Sequence, residues 1–151
     1  MSIEIIENAT PELEEAFARL IPQLSGSSTP MNLARLEEFL SQPHIYLLVC
    51  RREENSGGKM PILGMLTLVT FEIPTGRRAW IEDVVTDADA RGQGVGRELV
   101  EAAVELAEKL DVKSIDLTSR PNREAANRLY RRCGFAARET NVYRYAGPKR
   151  N

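Results

Sequence analysis

The run "ARGQGVGREL", residues 90–99, sets Gly92, Gly94 and Gly96 between Arg91 and Arg97. Glycine in a helix interior costs on the order of 1 kcal/mol relative to alanine, yet the apolar periodicity starts a helix inside this run. The combination suits an anion. The first N–H groups of a helix have no internal partner, and the helix dipole adds partial positive charge there. Glycines remove the Cβ atoms that would hold a phosphate away from those groups. Arg91 and Arg97 can add charged hydrogen bonds to phosphate oxygens. The spacing narrows the ligand. No Gly-Lys-Ser/Thr follows, so this is not a Walker A loop. Gly96 comes one residue early for GxGxxG, and the strands before it read as an antiparallel meander rather than a Rossmann unit. Taken alone, the run also reads as a surface turn whose glycines serve geometry only.

Other residues with chemical potential are few. Glu82 and Asp83 are neighbouring carboxylates in "IEDVVT", and adjacent strand residues face opposite ways unless a bulge intervenes. Tyr130 in "NRLYRR" has helical spacing from Ala126, which by itself suits core packing. His44 is the chain's one histidine. With the two scattered cysteines, Cys50 and Cys133, it builds no metal cluster, and no serine stands in a nucleophile-elbow context. Both cysteines read as buried thiols rather than a disulfide. Glu37, Glu38 and Glu72 could attract a cationic amine, and they read more simply as surface charge.

The elements that position these residues follow from periodicity. Residues 2–7 read as a strand. Residues 8–24 read as a helix, with Thr10 as cap, Pro11 at the first helical position and Leu13, Phe17, Leu20 and Leu24 as its apolar stripe. A second helix spans 31–42 and stops at Pro43. Strands follow at 44–51, 62–73 and 79–86, with a polar connection at 52–61 and a turn at 74–78. A long helix at 96–112 leads to a strand at 113–119, which should run parallel to 79–86. A last helix at 120–135 is terminated by Gly134. A final strand or hairpin occupies 135–147, before a short tail at 148–151 that should fray. The expectation is an α/β (α+β) fold, a mixed and mostly antiparallel sheet with helices on both faces, in one domain over 1–147.

Composition sets bounds. The chain has 151 residues, 42% hydrophobic and 28% charged, with a formal net charge of −2. This balance offers nucleic acid and anionic membranes no general attraction. "RLYRR" could pass for a basic nucleic-acid patch, but a solvated helix face or contacts to ligand phosphates explain it better at this net charge. No apolar run approaches the ~18 residues of a membrane span. The N-terminal stretch is acidic and amphipathic rather than signal-like, so the cytoplasm is the expected compartment.

The distant segments converge on one family. "RGQGVG" (91–96) fits the Arg/Gln-x-x-Gly-x-Gly/Ala signature of the GCN5-related N-acetyltransferases, in which such a loop holds the pyrophosphate of acetyl-CoA. "REAANRLYRRCGF" (123–135) is similar to that family's Asn-x-x-Ala-x-x-Leu-Tyr-x-x-x-Gly-Phe segment, and "IEDVVT" resembles the corresponding strand of diamine acetyltransferases. The order of elements matches over nearly the whole chain. The resemblance implies that the central parallel strands splay, with the acetyl-CoA thioester in the opening. Val84, Val85 and Thr86 would offer backbone groups to the pantetheine arm. Arg91, Gly92, Gln93, Gly94, Val95, Gly96 and Arg97 would bind the pyrophosphate. Tyr130 would protonate the departing thiolate, and Glu82 rather than Asp83 would serve as base through water. Arg123 stands where many members carry the asparagine, so Asn127 or Asn122 would supply that amide contact. Arg123 would then be free to reach a phosphate.

The implied activity is transfer of an acetyl group to a primary amine of a small molecule, by direct attack through a tetrahedral intermediate and without a metal. A backbone N–H at Val85 or Thr86 would stabilise the oxyanion. Protein N-terminal or lysine acetylation, and non-catalytic binding of an acyl-CoA, are the alternatives. Members of the family are often dimers, which by analogy alone suggests a homodimer.

Overall fold

The computed structural model describes residues 1–53, 58 and 60–148. Parts of the connection at 52–61 and of the tail at 148–151 lie outside the described residues. The elements are β1 (Ser2–Ile6), α1 (Pro11–Leu24), α2 (Leu33–Leu40), β2 (Ile45–Arg51), β3 (Ile62–Ile73), β4 (Gly76–Thr86), α3 (Val95–Lys109), β5 (Ser114–Asp116) and α4 (Glu124–Arg132). A short 3-10 turn, Ala88–Ala90, precedes α3.

Local sequence explains the first helices. The Thr10 hydroxyl accepts the Leu13 N–H at 3.1 Å, and Pro11 sits in the first turn, where no backbone donor is needed. The Asn32 side chain caps α2 by accepting the Arg35 N–H at 3.0 Å. Leu13, Phe17 and Leu20 of α1 and Leu36 of α2 are buried.

The five strands lie in the order β1-β2-β3-β4-β5. The first four pair antiparallel, and β5 runs parallel to β4. Helices α1 and α2 pack on the face that carries Leu47, Val49, Met65 and Val85. The opposite face, with Leu48, Leu66, Leu68, Ala79 and Ile81, packs against α3 and α4. The sheet is thus enclosed between two helical layers, each burying one apolar face.

One irregularity governs the centre of the sheet. Met65 pairs with Val85, but Thr67 pairs with Glu82, so Asp83 and Val84 together stand opposite Leu66. This is a β-bulge. Asp83 takes a left-handed φ of +52°, a conformation that aspartate tolerates better than most residues. The bulge changes the alternation of β4. Ile81 faces the α3 side, and Val85, four positions on, faces the α1 side.

Three expectations need correction. Strand β4 begins at Gly76, so Arg77 and Arg78 belong to the ladder opposite Glu72 and Phe71 rather than to a turn. Strand β5 is confined to Ser114–Asp116 instead of filling 113–119, because β4 offers it only Arg78, Ala79 and Trp80 as partners. No strand or hairpin forms over 135–147. Thr140, Val142, Tyr143 and Tyr145 have high β-propensity, but propensity without a neighbouring strand makes no ladder. From Ala136 to Ala146 the chain is exposed.

Candidate active site

The glycine-rich loop is held open by its backbone. Gly92 and Gly94 have φ of +78° and +85°, and a Cβ at either would meet nothing within 4 Å. They are glycines for conformation, and open space lies beside them. Gly94 is the residue before α3, with no side-chain capping bond. Among the described residues, nothing accepts the N–H groups of Val95, Gly96 and Arg97. A bare helix start of this kind fits an anionic oxygen.

Gly96 does something different. A Cβ there would stand 3.0 Å from Leu129 Cδ2 and 3.7 Å from Thr86 Oγ1. Its absence lets the start of α3 approach both α4 and the end of β4. Gly64 of β3, which sequence reasoning passed over, is tighter still. A Cβ on it would lie 2.7 Å from Val95 Cγ1 and 2.8 Å from the Val85 carbonyl oxygen. The only sequence signal was a glycine inside a strand, which often marks a close backbone approach.

Asp87 was also missed, and it anchors the entry to the loop. Its carboxylate accepts the Asp89 N–H at 3.1 Å, the Gln23 amide at 3.5 Å and a short charged bond from Arg19. Its own N–H donates to the Leu63 carbonyl at 2.8 Å, and the Ala88 N–H reaches Gln23 Oε1 at 2.8 Å. The Asp89 N–H, above all, holds the Asp87 carboxyl below the usual carboxylate range, with Arg19 and Gln23 assisting against the cost of burial. A depressed folded-state pKa gives stability that is complete above the unfolded value and lost as pH falls through the folded one. Asp87→Asn should therefore lower unfolding free energy by about 2 kcal/mol near neutral pH. Urea titrations at decreasing pH should show the gap to the parent closing through the carboxylate range. A gap that stays constant with pH would mean the charge does not matter.

The arginines differ in availability. Arg97 is exposed and bonds Glu101 at 2.7 Å, one helical turn on. The exposed Arg91 side chain has no partner among the described residues. Gln93 accepts a bond from Arg52 and donates to the Asp89 carbonyl at 3.5 Å.

Strand β4 opens beside this loop. Parallel pairing with β5 ends at Trp80, so Ile81–Thr86 has a strand neighbour on the β3 side only. Val84 and Thr86 are half-buried in that stretch, and Val85 is buried. Glu82 and Asp83 are both exposed, since the bulge removes the strict alternation that would have hidden one of them. A single-edged strand presents free N–H and C=O groups, the type of surface that an amide-bearing chain pairs with.

Tyr130 is only 7% exposed. The end of α4 fixes it. Gly134 takes φ +95°, the Phe135 N–H returns to the Tyr130 carbonyl at 2.9 Å, and the Gly134 N–H returns to Arg131 at 3.1 Å. These are the two bonds of a Schellman motif. The Phe135 ring meets the Tyr130 ring edge-on, with centroids 6.2 Å apart. Burial pushes the phenol pKa up, against the nearby positive Arg123, so it remains a neutral donor near pH 7. Among the described residues the hydroxyl has no hydrogen-bond partner.

Asn127 has its Nδ2 engaged with the Arg120 and Pro121 carbonyls at 3.1 and 3.4 Å, which organises the loop before α4. Its Oδ1 accepts no bond among the described residues. Arg123 is the residue before α4 and, like Asn122, is exposed. Cys50 is a buried free thiol, and Cys133 is half-buried rather than fully buried. His44 is exposed at the start of β2, with a left-handed φ of +68°. Among the described residues no group of three or more metal-binding side chains comes together, and no helix is long and apolar enough to cross a membrane.

Where Gly96 of α3 lets Thr86 of β4 and Leu129 of α4 approach, a helix start bare among the described residues lies beside a strand open on one edge, and the buried Tyr130 follows Leu129 in α4; such an arrangement suits an acyl-transferring enzyme. Residues 10–135 match the model of the Acetyltransferase (GNAT) family, and the chain belongs to that family. It is an acetyl-transferring enzyme. It is 34% identical over 153 residues to "Probable glucosamine 6-phosphate N-acetyltransferase 2" of Oryza sativa subsp. japonica, covering 95% of this chain and 88% of the relative. It is 30% identical over 141 residues to "Glucosamine 6-phosphate N-acetyltransferase 1" of the same plant, covering 89% and 81%. Its structure resembles a putative acetyltransferase from Agrobacterium tumefaciens with a TM-score of 0.77 and 27% identity, covering 96% of this chain and 99% of that one. Members of the family generally use acetyl-CoA as donor.

Proposed function

We propose that the chain transfers an acetyl group from acetyl-CoA to a primary amine of a small molecule, by direct attack through a tetrahedral intermediate. One observation carries this reading. The close approach at Gly96 brings the N–H groups of α3 that have no partner among the described residues alongside Thr86 of the open strand and Leu129, the neighbour of Tyr130. A phosphate-bearing arm can therefore be held at one end and its reacting end presented beside an acid.

The residues divide the work. The N–H groups from Gly92, Gln93, Gly94, Val95, Gly96 and Arg97, with the Arg91 and Arg97 guanidiniums, hold the pyrophosphate. Arg97 must loosen its exposed pair with Glu101 to do so, at little cost for a solvated ion pair. Val84, Val85 and Thr86 pair with the amide-bearing arm, and an N–H at Val85 or Thr86 stabilises the oxyanion. The Tyr130 hydroxyl gives its proton to the departing thiolate. Glu82, exposed on β4, takes the amine proton through water. Asn127 holds the loop that carries α4, with Oδ1 left to accept. The functional unit is a homodimer.

The names of the two rice relatives make an amino-sugar phosphate the first acceptor to test. CoA release should be followed with glucosamine 6-phosphate, polyamines, aminoglycosides, amino acids and short peptides. The reading expects turnover of at least one small amine, well above every peptide. Preference for peptides would turn it towards protein acetylation. Tight acetyl-CoA binding without turnover of any amine would reduce the chain to a binding module.

A further inference from the structure

The face of the sheet that α1 and α2 pack against is covered over only part of its extent. The helices cover Leu47, Val49, Met65 and Val85. The pairing sets Ile45, Val69 and Trp80 side by side on the same face, with Phe71 and Arg78 paired beyond them toward the β3–β4 turn. Ile45, Val69, Phe71 and Trp80 belong to neither core cluster. Phe71 is 40% exposed, and the other three are half-buried. Trp80 is the chain's one tryptophan, and it thus leaves a large aromatic surface outside both cores.

Two carboxylates flank that surface. Asp116 of β5 pairs with Trp80 across the parallel step, about 5 Å away in the sheet and on the same face. The bond from Arg78 to Ser114 Oγ, at 3.3 Å, marks that face on both strands. Asp116 is half-buried, and its carboxylate has no ion pair or hydrogen bond among the described residues. A charge partly withdrawn from water without a counter-ion is costly. Glu82 lies two residues along β4 from Trp80, about 7 Å away on the same face, and is likewise unpaired among the described residues. The Trp80–Asp116 pair is the last before β4 and β5 part, so Asp116 borders the opening.

We infer that the acceptor carries a second, protonated nitrogen, which docks on Trp80 and Asp116 while the reacting amine lies at Glu82. An indole face attracts an ammonium group, and a carboxylate beside it adds charge to the same spot. The diagonal from Asp116 to Glu82, about 8 Å across the sheet, sets the separation of the two nitrogens. A phosphate suits this surface poorly. It would face Asp116 and Glu82, and the arginine of this face, Arg78, already donates to Ser114 Oγ and, at 2.9 Å, to Thr75 Oγ1. The acceptor class is therefore a polyamine or a polyamino sugar, ranked above a phosphorylated amine. The inference rests on the acetyl transfer proposed above and names the acceptor class within it, with Trp80 and Asp116 as the residues that select it.

Initial rates of CoA release by the full chain test it. Putrescine should exceed butylamine in kcat/KM, and cadaverine pentylamine, by about ten- to hundredfold. Glucosamine should exceed glucosamine 6-phosphate. These comparisons need no variant. Asp116→Asn and Trp80→Leu should each remove most of the diamine advantage, chiefly through KM, with a thermal melt to show that each is folded. Trp80→Phe keeps a ring and should retain more of the advantage than Trp80→Leu. The faster of spermidine and kanamycin tells an open-chain polyamine from a polyamino sugar, and either satisfies the inference. Diamines no better than monoamines, a preference for the phosphorylated sugar, or an advantage that both Asp116→Asn and Trp80→Leu keep would overturn the inference and leave acetyl transfer standing. Acetyl-CoA binding with no turnover of any of these amines would overturn acetyl transfer itself, and the inference with it.

Discussion

Tyr130→Phe is expected to lower kcat by about 10²–10⁴-fold, the usual yield of a positioned acid, while the KM for acetyl-CoA stays nearly unchanged. The substitution is clean. The phenyl ring keeps the edge-on contact with Phe135 and the Schellman bonds that set its place. Because the hydroxyl has no partner among the described residues, removing it strands no buried group, and the thermal midpoint should barely move. The pH profile distinguishes an acid from a packing residue. Burial raises the phenol pKa, so the neutral donor persists through neutral pH and is lost as pH rises past that raised value. The parent should therefore lose kcat on the alkaline side, and Tyr130→Phe should lack that limb. Equal kcat in the two proteins, measured by CoA release, would remove Tyr130 from the chemistry.

Gly94→Glu should abolish measurable acetyl-CoA binding. A like-charge contact near 4 Å costs about 4 kcal/mol at a protein surface, close to a thousandfold in affinity. The side chain would extend from the residue that opens α3, where a Cβ meets open space and not protein. The left-handed φ of +85° adds a conformational cost of about 1 kcal/mol in stability, which a melt would register as a modest loss and not as unfolding. Gly94→Asn separates the two effects. Asparagine accepts a left-handed φ and brings no charge, so it should keep far more affinity than glutamate. Calorimetric titration with acetyl-CoA reads both variants. A folded Gly94→Glu protein with parental affinity would move the phosphate site elsewhere.

Much of this was legible where chemistry is local. Thr10 and Pro11 announce a helix start through their own side chains, and Gly134 announces a helix end, whereas Asn32, read inside the helix at 31–42, turns out to cap it. The spacing of Leu13, Phe17 and Leu20 reports which side of α1 is buried. What could not be read depends on partners remote in the chain. Asp87 looks like any loop aspartate until Arg19 and Gln23 arrive from α1. Gly64 shows its purpose only when Val95 and the Val85 carbonyl close on it. The segment "PTGRR" has turn chemistry, yet Gly76, Arg77 and Arg78 are drawn into the ladder by β3. The opposite error occurred at the C-terminus, where Thr140–Tyr145 has strand-forming residues and no strand beside it. Sequence expresses a preference for extended backbone, and only a neighbour turns the preference into a sheet.

The bulge at Asp83 also sets the grammar of substitution along β4. Odd-numbered positions before it, such as Ala79 and Ile81, answer to one helical layer, and an odd-numbered position after it, Val85, answers to the other. Removing one residue there would not merely shorten the strand. It would take out the bulge and leave a plain alternation in which Val85 stays opposite Met65 and keeps its layer, whereas straightening the strand with every residue kept would turn Val85 to the other face.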